Sequence, residues 1–195
     1  MTEKDVFILS DEAMVRVVEQ IKDGQWDMDM PETFRRKDKA PVSLRKILNY
    51  HAYDDAWVPD ILAGKTMDEA GKEKFDGDLL GSTPKENFKA IADKAIAAAK
   101  DADLTRTAHL TYGDFPASEY FKHITLFRTL RAYDLAKVIG IDPTLKPELV
   151  QGLFDEVAPH ADAWRKMGVF GPEVPVAEDA PLMQRLLGLT GRQPE

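Results

Sequence analysis

HITLFRTLRAYDLAKVIG, residues 123–140, has the apolar spacing of a long amphipathic helix that ends at Gly140. With the preceding turn, apolar residues recur at three- and four-residue steps, the period of one buried helical face, at Tyr120, Ile124, Phe127, Leu135 and Val138. Arg131 occupies the same stripe. A guanidinium group stays charged, and its burial without a partner in an apolar interior is very costly. The stretch therefore predicts a helix that carries one charged residue on its inner face.

The rest of the chain is predicted to be mainly helical as well. Long helices are expected over residues 4–23, 43–64, 83–101 and 116–140, and shorter ones over residues 147–157 and 160–167. Ser43 and Thr83 are predicted N-caps, Thr83 in a capping box with Pro84 at the first helical position. Pro59 predicts a kink or an early end of the second helix. A weak alternation over residues 104–114 predicts one short extended piece.

Four long helices joined by substantial connections are typical of an all-α four-helix bundle. The chain has 195 residues, of which 44% are hydrophobic and 31% charged, and this composition suits one globular domain with its own core. We therefore predict a single domain over residues 1–195, with the bundle at about residues 4–140. Residues 141–195 are predicted to hold the short helices and, from residue 169, a Pro-rich strap and a last helix capped by Asp179.

The charge balance and the lack of cysteine exclude several classes of function. The net charge is −8, whereas nucleic acid and anionic membranes require a basic surface. No apolar run reaches the roughly 18 to 20 residues of a membrane span, and the N-terminus lacks the pattern of a secretory signal. Without cysteine the chain has no disulfide, thiolate ligand or Cys nucleophile. We expect a cytoplasmic protein in which any thiol chemistry would need an external thiol.

Two histidines have chemically interesting neighbours at helical spacing. His51 precedes Asp54 and Asp55 by three and four residues, so one face of the second helix carries an imidazole and a carboxylate. This combination suits zinc, nickel or iron, and it is also typical of a surface histidine beside two solvated acids. His123 precedes Phe127 and Arg131 at four-residue steps, which favours a place inside the bundle, as a structural histidine or a ligand.

Five segments carry a family resemblance that extends along the whole chain. They are GQWDMDMPE (24–32), LRKILNYHAYDDAWVPDILAG (44–64), YGDFPASEY (112–120), RAYDLAKVIG (131–140) and FGPEVPVAEDAPLMQRLLGLTGRQP (170–194). In this order they resemble the DinB-like superfamily, specifically the actinobacterial proteins similar to the N-terminal domain of mycothiol-dependent maleylpyruvate isomerase. The resemblance implies a four-helix bundle, often dimeric, with a divalent metal held by a His of the second helix and a Glu/Asp-x-x-x-His pair of the fourth. It also implies metal-activated transfer or isomerisation that uses a low-molecular-mass thiol.

The sequence departs from the family pattern at each ligand position. Aligned on the family motifs, Tyr50 stands at the His of the second helix, and Phe127 and Arg131 stand at the acid and the His of the fourth. A cation at a ligand position opposes the binding of a second cation at contact distance. Tyr53 and Asp54 replace small residues of the family and would fill the substrate pocket. We therefore predict a degenerate site that binds no metal.

The resemblance makes the two helix faces neighbours and so defines a predicted pocket, which consists of Tyr50, Tyr53, Asp54, Trp57, His123, Phe127 and Arg131. In this hypothesis the charge of Arg131 replaces the lost metal, and Asp54 is its preferred partner because it shares a helix face with Tyr50. Asp134 and Asp55 remain alternative partners. A rotated helix, from which Arg131 reaches solvent along its apolar stem, is the competing interpretation.

Three functional hypotheses remain open. The first is a metal-free DinB-like protein, with no cofactor, whose pocket around Arg131 binds a small anion or metabolite, or which serves as a scaffold. The second is a mycothiol-type S-transferase or isomerase that binds zinc or nickel through shifted ligands, His51, Asp54, Asp55 and His123. The third is an interaction module that forms a homodimer through a helix face. We prefer the first hypothesis, and the family resemblance predicts a homodimer in addition.

Overall fold

The structure is a computed structural model that describes residues 1–34 and 40–194. In these ranges the fold is all-α, with one two-stranded hairpin. The chain divides into two compact units, residues 2–144 and, together with Met1, the residues from 145 onward. The prediction that both units belong to one domain stays a prediction. Among the described residues, no helix combines the length and the apolar character needed to cross a membrane.

The first unit contains four long helices, one short helix and the hairpin. They are α1 (Glu3–Glu19), α2 (Leu44–Leu62), α3 (Met67–Ala70), α4 (Pro84–Lys100), β1 (Thr107–Leu110), β2 (Gly113–Pro116) and α5 (Ala117–Ile139). Helix α1 packs against α5 and α4, and α4 packs against α2, whereas α2 and α5 contact each other at far fewer positions. Strand β1 and the first residues of β2 lie in residues 104–114, where one extended piece was predicted. The chain instead turns at residues 111 and 112, and the two strands pair in an antiparallel register.

Among the described residues of this unit, two apolar clusters lie in the core. Met14, Leu48, Ala92 and Leu135 belong to the first cluster, and each comes from a different long helix. Phe7, Trp57, Ala95 and Phe121 play the same part in the second cluster, which also contains residues of the hairpin. Each of the four long helices therefore contributes buried residues to both clusters.

Helix α2 begins at the predicted N-cap and continues past Pro59, where a kink or an early end was predicted. The side chain of Ser43 accepts a hydrogen bond from the backbone N–H of Lys46 at 3.2 Å, which makes it the expected N-cap. Pro59 lies inside the helix, yet α2 continues to Leu62. An early end at Pro59 is therefore wrong. A proline removes only its own N–H from the helical ladder, and packing of Trp57, Val58 and Ile61 in the core holds the remaining turn.

The starts and ends of the other helices show which signals were reliable. Pro84 occupies the first turn of α4 as predicted, but the Thr83 side chain makes no capping hydrogen bond, so the predicted capping box is wrong. Helix α1 ends at Glu19 and is followed by a separate 3-10 turn over residues 23–25. Gly140 ends α5 with φ of +75°, while the N–H of Ile141 donates to the carbonyl of Ala136 at 2.9 Å. This arrangement is a Schellman motif, and it confirms the predicted end.

Helix α5 buries a different face from the one predicted. Tyr120 and Leu135 are buried as expected, but Phe127 is 55% exposed and Arg131 is half-buried. The inner face instead includes Phe121, Thr125, Arg128, Thr129, Ala132 and Ala136. Leu126, Leu130 and Tyr133 are buried as well, so the helix is apolar on several sides and its apolar spacing allowed more than one inner face. The competing interpretation of a rotated helix describes α5 better.

The second unit contains α6 (Pro147–Val157), α7 (Ala161–Lys166) and α8 (Leu182–Leu189), close to the predicted short helices. Helix α8 has Pro181 at its N-cap, so the predicted cap at Asp179 is wrong. Helices α6 and α8 pack together, and the guanidinium of Arg185 lies 4.8 Å from the ring centre of Phe154. The extended segment meets α8 where the N–H of Val174 donates to the carbonyl of Gly188. The expected course of residues 169–195 across the bundle stays a prediction.

Candidate functional site

A cavity of about 260 Å³ opens beside the first half of α2 and the middle of α5. Its described walls are Phe34, Ala40, Pro41, Val42, Lys46, Ile47, Tyr50, His51, Phe127 and Arg131. We call it the Arg131 cavity. Tyr50, Phe127 and Arg131 are the three residues that the family resemblance aligns with metal ligands. The structure brings these three residues to one cavity, although Asp54, Tyr53, Trp57 and His123 do not line it.

The described walls of the Arg131 cavity carry two cationic residues in an acidic protein. Lys46 and Arg131 are cations in its described walls, and none of those wall residues is Asp or Glu, although the chain has a net charge of −8. The Arg131 guanidinium lies 4.3 Å from the ring centre of Phe34, a distance at which a cation is attracted to an aromatic face. Cationic side chains attract anions, so these walls favour the binding of an anion over that of a cation.

His51 adds a neutral imidazole to this cavity. Desolvation, the largest cause, and the charges of Arg128 and Arg131 together lower its pKa from 6.5 to about 3. The side chain is half-buried, so water reaches part of the residue. At neutral pH His51 is therefore a hydrogen-bonding group without charge. The fixed positive charge of the described walls comes from Lys46 and Arg131 alone.

A second polar feature lies in the core of the first unit. The Arg128 Nη1 is 2.5 Å from Oδ1 of Asp11, and its Nη2 forms an ion pair with Asp55, so that α5 is linked to both α1 and α2. No more than 2% of any of the three side chains is exposed. We call Asp11, Asp55 and Arg128 the Arg128 cluster. The Phe7 ring centre lies 5.3 Å from the guanidinium and covers it on the α1 side.

Hydroxyl groups extend this polar layer between α1 and α5. Thr129 donates from Oγ1 to Oγ of Ser10 at 2.8 Å, and Ser10 donates to the carbonyl of Thr125 at 3.4 Å. In contrast, Oδ2 of Asp11 and Nε of Arg128 have no hydrogen-bond partner among the described residues. A buried polar atom without a hydrogen-bond partner costs free energy on folding. The Arg128 cluster therefore keeps charged groups in the core at the expense of some stability.

Burial opposes ionisation of both carboxyl groups in the Arg128 cluster. Desolvation raises the pKa of Asp11 to about 6, although the Arg128 charge acts to lower it. Desolvation also raises the pKa of Asp55 well above its usual value, and the negative charge of Asp11 contributes to that rise. One guanidinium neutralises one carboxylate, so the second ionisation adds an uncompensated charge to the core. At mildly acidic pH, one of the two carboxyl groups is therefore expected to be ionised and the other protonated.

The predicted pairing of Arg131 with Asp54 is corrected by this geometry. The deeply buried arginine is Arg128, three residues earlier, and the carboxylates that pair with it are those of Asp11 and Asp55. Asp54 is exposed, and the cation that lowers its pKa is Arg128, against the larger effect of desolvation, which raises it. Tyr50 is 37% and Phe127 55% exposed, so the Arg131 cavity opens at the surface. The prediction that these residues meet inside the bundle is wrong.

The other predicted pocket residues lie elsewhere in the first unit. Tyr53 and Trp57 pack edge to face with ring centres 6.2 Å apart, and Trp57 also contacts Phe75. His123 lies beside the hairpin, where its Nδ1 is 3.2 Å from the hydroxyl of Tyr112. These residues fill the core or support the hairpin, and the spacing on each helix did not show which neighbouring element they meet.

The residues at the family's ligand positions do not fit a divalent metal. Phe127 has no donor atom, and Arg131 presents a positive charge. Residues 1–34 and 40–194 contain no group of three or more His, Asp or Glu side chains that could hold a metal ion. The four residues of the alternative ligand set do not come together at one site. Asp55 is paired with Arg128, and His51 lines the Arg131 cavity. Asp54 is exposed, and His123 contacts Tyr112.

Sequence reasoning missed the Arg128 cluster, although one signal was present. Asp11 lies between Phe7 and Met14 at helical spacing, on a face whose other residues are buried and apolar. A carboxylate at such a position requires a buried cation. Arg128 was the available cation at the spacing of Phe121, Thr125 and Ala132 on α5.

Comparison with known proteins adds no relative to this description. No family model, no curated protein and no solved structure matches the chain. The resemblance to the DinB-like superfamily therefore stays a prediction from its motifs.

Proposed function

We propose that this chain is a DinB-like four-helix-bundle protein whose ligand cavity binds a small organic anion in place of a metal ion. The observation that carries the proposal is the position of Tyr50, Phe127 and Arg131. The family resemblance aligns these residues, from two helices, with metal ligands, and all three line one cavity. Arg131 then supplies a fixed positive charge where the family has an ion, and a bound anion would complement that charge.

The charge of the cavity supports an anion more than a metabolite of another kind. Lys46 and Arg131 are the charged residues of the described walls, and His51 is neutral. The cavity is smaller than the roughly 300 to 1,000 Å³ of sites for drug-sized ligands, so the anion is small. The role we assign to the protein is binding, because the described walls combine cationic side chains with a neutral imidazole, and this combination suits an anion.

Binding to purified protein tests the proposal. Sodium acetate, sodium benzoate and sodium phosphate are titrated separately, and backbone amide shifts are followed by NMR. At least one of these anions is expected to shift the amides of Lys46, His51 and Arg131, and Arg131→Gln is expected to abolish the effect. Lys137→Gln is the matched control, because it removes one charge from an exposed position of the same helix. If no anion gives an Arg131-dependent shift, the proposal fails.

Metal analysis tests the same proposal from the opposite side. Purified protein is expected to retain no stoichiometric zinc or nickel after incubation with the ion and desalting. The triple variant Tyr50→His, Phe127→Glu, Arg131→His is expected to bind one of these ions, because it restores the family's ligand types on a scaffold that brings the three positions together. Stoichiometric metal in the unmodified protein, lost on His51→Ala or His123→Ala, would instead support the enzyme with shifted ligands.

A further inference from the structure

We propose that Tyr112, His123 and Glu119 form a nucleophile, a general base and an orienting carboxylate, and that this site cleaves small aryl esters. The activity goes beyond the proposed anion binding, because it belongs to a different surface, where the hairpin meets α5. None of the three residues is among the described wall residues of the Arg131 cavity. We call them the Tyr112 triad.

The hairpin turn and the first turns of α5 bring the Tyr112 triad together. The chain turns at residues 111 and 112, and β2 leads directly into α5. Glu119 and His123 are four residues apart on α5 and therefore lie on one face of that helix. The ring centres of Tyr112 and Phe115 lie 5.7 Å and 5.0 Å from that of His123. The imidazole thus packs against two aromatic rings of the hairpin, and this packing restricts its orientation.

The polar contacts of the imidazole are those of a catalytic base. Its Nδ1 is 3.2 Å from the Tyr112 hydroxyl, and its Nε2 is 3.5 Å from Oε1 of Glu119. For Nδ1 to accept the phenol proton, the neutral ring must carry its own proton on Nε2, the nitrogen that faces the carboxylate. The carboxylate then stabilises the positive charge that His123 gains when it takes the proton from Tyr112.

The Tyr112 hydroxyl is accessible and requires a base. Tyr112 is 62% exposed, so an ester reaches it without any movement of the core. Desolvation, and after it the charge of Asp54, raise the pKa of Tyr112 above its ordinary range. The hydroxyl therefore keeps its proton at neutral pH, and a nucleophilic attack by its oxygen requires that His123 remove that proton.

The chemistry of a phenol selects aryl esters as substrates. A tyrosine gains an acyl group readily only from a donor whose leaving group is no more basic than tyrosine itself, which has a pKa of about 10. Aryl esters meet this condition, whereas alkyl esters release a far more basic alkoxide. Phe115 is half-buried, and its ring centre lies 5.7 Å from that of Tyr112. Its ring offers an apolar surface to the aromatic leaving group.

The reaction has two steps. In the first, Oη of Tyr112 attacks the ester carbonyl carbon while Nδ1 of His123 takes the phenol proton. The bond between that carbon and the aryl oxygen breaks, and the proton passes to the leaving aryloxide. In the second step a water molecule gives a proton to His123 and attacks the acyl carbon, the bond to Oη breaks, and Oη regains the proton. The products are a carboxylic acid and a phenol, and the Tyr112 triad returns to its initial state.

Hydrolysis of para-nitrophenyl acetate by the purified protein tests the proposal. Absorbance follows the release of para-nitrophenolate, and peptide mass spectrometry of acid-quenched protein is expected to locate an acetyl group on Tyr112. Tyr112→Phe and His123→Gln are each expected to lower the rate by about 100-fold or more, since a general base contributes at least this much. Tyr53→Phe and His109→Gln are the matched controls and are expected to keep the rate. The second control removes an imidazole of the same hairpin, whose Nδ1 is 2.8 Å from Oδ1 of Asp114.

Glu119 is a positioning residue, because it acts through His123. Glu119→Gln is expected to lower kcat by about fivefold, the value of one exposed ion pair, and to leave KM unchanged, whereas a damaged hairpin would change both. The acetylated position is read in the unmodified protein, so it does not depend on the folding of any variant. An acetyl group on His123 or on a lysine in place of Tyr112 would overturn the proposal. Hydrolysis by the unmodified protein that is no faster than hydrolysis by Tyr112→Phe would overturn it as well.

Discussion

Arg128 and Arg131 lie one helical turn apart, yet their surroundings differ completely. Arg128 is 1% exposed and contacts two buried carboxylates, whereas Arg131 is half-buried over Phe34. The cost of removing an arginine depends on what it leaves behind in the core. A carboxylate that loses its only cation in an apolar interior is strongly destabilising, while an arginine near water leaves its partners hydrated.

The first prediction compares the two arginines directly. Arg128→Met is expected to lower the free energy of unfolding by about 3 to 5 kcal/mol, because it leaves Asp11 and Asp55 without their shared cation. Arg131→Met, the matched control, is expected to cost about 1 kcal/mol or less, because Arg131 is half-buried and its removal leaves no carboxylate stranded in the core. Urea denaturation of the three proteins measures both values. A larger loss for Arg131→Met than for Arg128→Met would contradict the assignment of the buried ion pairs.

The second prediction concerns pH and the two carboxyl groups of the Arg128 cluster. The pKa of Asp11 is raised from 3.8 to about 6 in the folded protein, and that of Asp55 is raised well above 3.8, in both cases mainly by desolvation. At these two carboxyl groups the folded state therefore binds more protons than the unfolded state once the pH exceeds about 4. By linkage, their contribution to the free energy of unfolding falls as the pH rises from about 4 through 6 and above, by up to about 1.4 kcal/mol per pH unit for each proton. His51, whose pKa is lowered to about 3, contributes with the opposite sign between about pH 3 and 6.5, so the comparison with a cluster variant isolates the two carboxyl groups.

Asp55→Asn is expected to flatten this dependence, because Asp11 and Arg128 then form a pair without excess negative charge. Asp27→Asn changes an exposed loop carboxylate and serves as the control. Unfolding at fixed temperature between pH 4 and 8 gives the slopes. A stability curve for Asp55→Asn that remains parallel to that of the unmodified protein would show that the cluster does not carry the pH dependence.

At the scale of the single helix, α2 and α4 allow a test of local capping. Ser43 accepts a hydrogen bond from the N–H of Lys46, while Thr83 makes no capping bond with its side chain. Ser43→Ala is therefore expected to lower the free energy of unfolding by about 1 kcal/mol, and Thr83→Ala by no more than about 0.5 kcal/mol. Chemical denaturation distinguishes the two. Equal losses would mean that helix propensity, and not the cap, sets the effect.

The helix ends also show where the local sequence is enough to predict the first or last residue of a helix. Ser43 and Gly140 act through hydrogen bonds and backbone angles within a few residues, and both were predicted from the sequence. Pro59 and Thr83 were misjudged for opposite reasons. Packing in the core maintained α2 beyond the proline, and the backbone of Thr83, with φ of −123° and ψ of 71°, departs from the extended geometry of the Ser43 cap.

At the scale of the whole molecule, we expect assembly into a dimer. The family resemblance suggests a homodimer, and two protomers that each carry a net charge of −8 repel each other over long distances. Salt screens that repulsion. We predict a dimer at high micromolar concentration whose dissociation constant decreases as the ionic strength rises from about 0.05 to about 0.3 M. Sedimentation equilibrium measures it, and a protein that remains monomeric across this range would contradict the prediction.

The sequence alone determined the helical class and most helix positions, because periodicity and end signals act over a few residues. It also singled out Tyr50, Phe127 and Arg131, which share a cavity. The inner face of α5 required the tertiary structure. That helix is apolar on several sides, so its own sequence does not choose between Arg128 and Arg131. The choice depends on Asp11 and Asp55, which are distant in sequence, because a buried charge is stable only where another helix supplies the opposite charge.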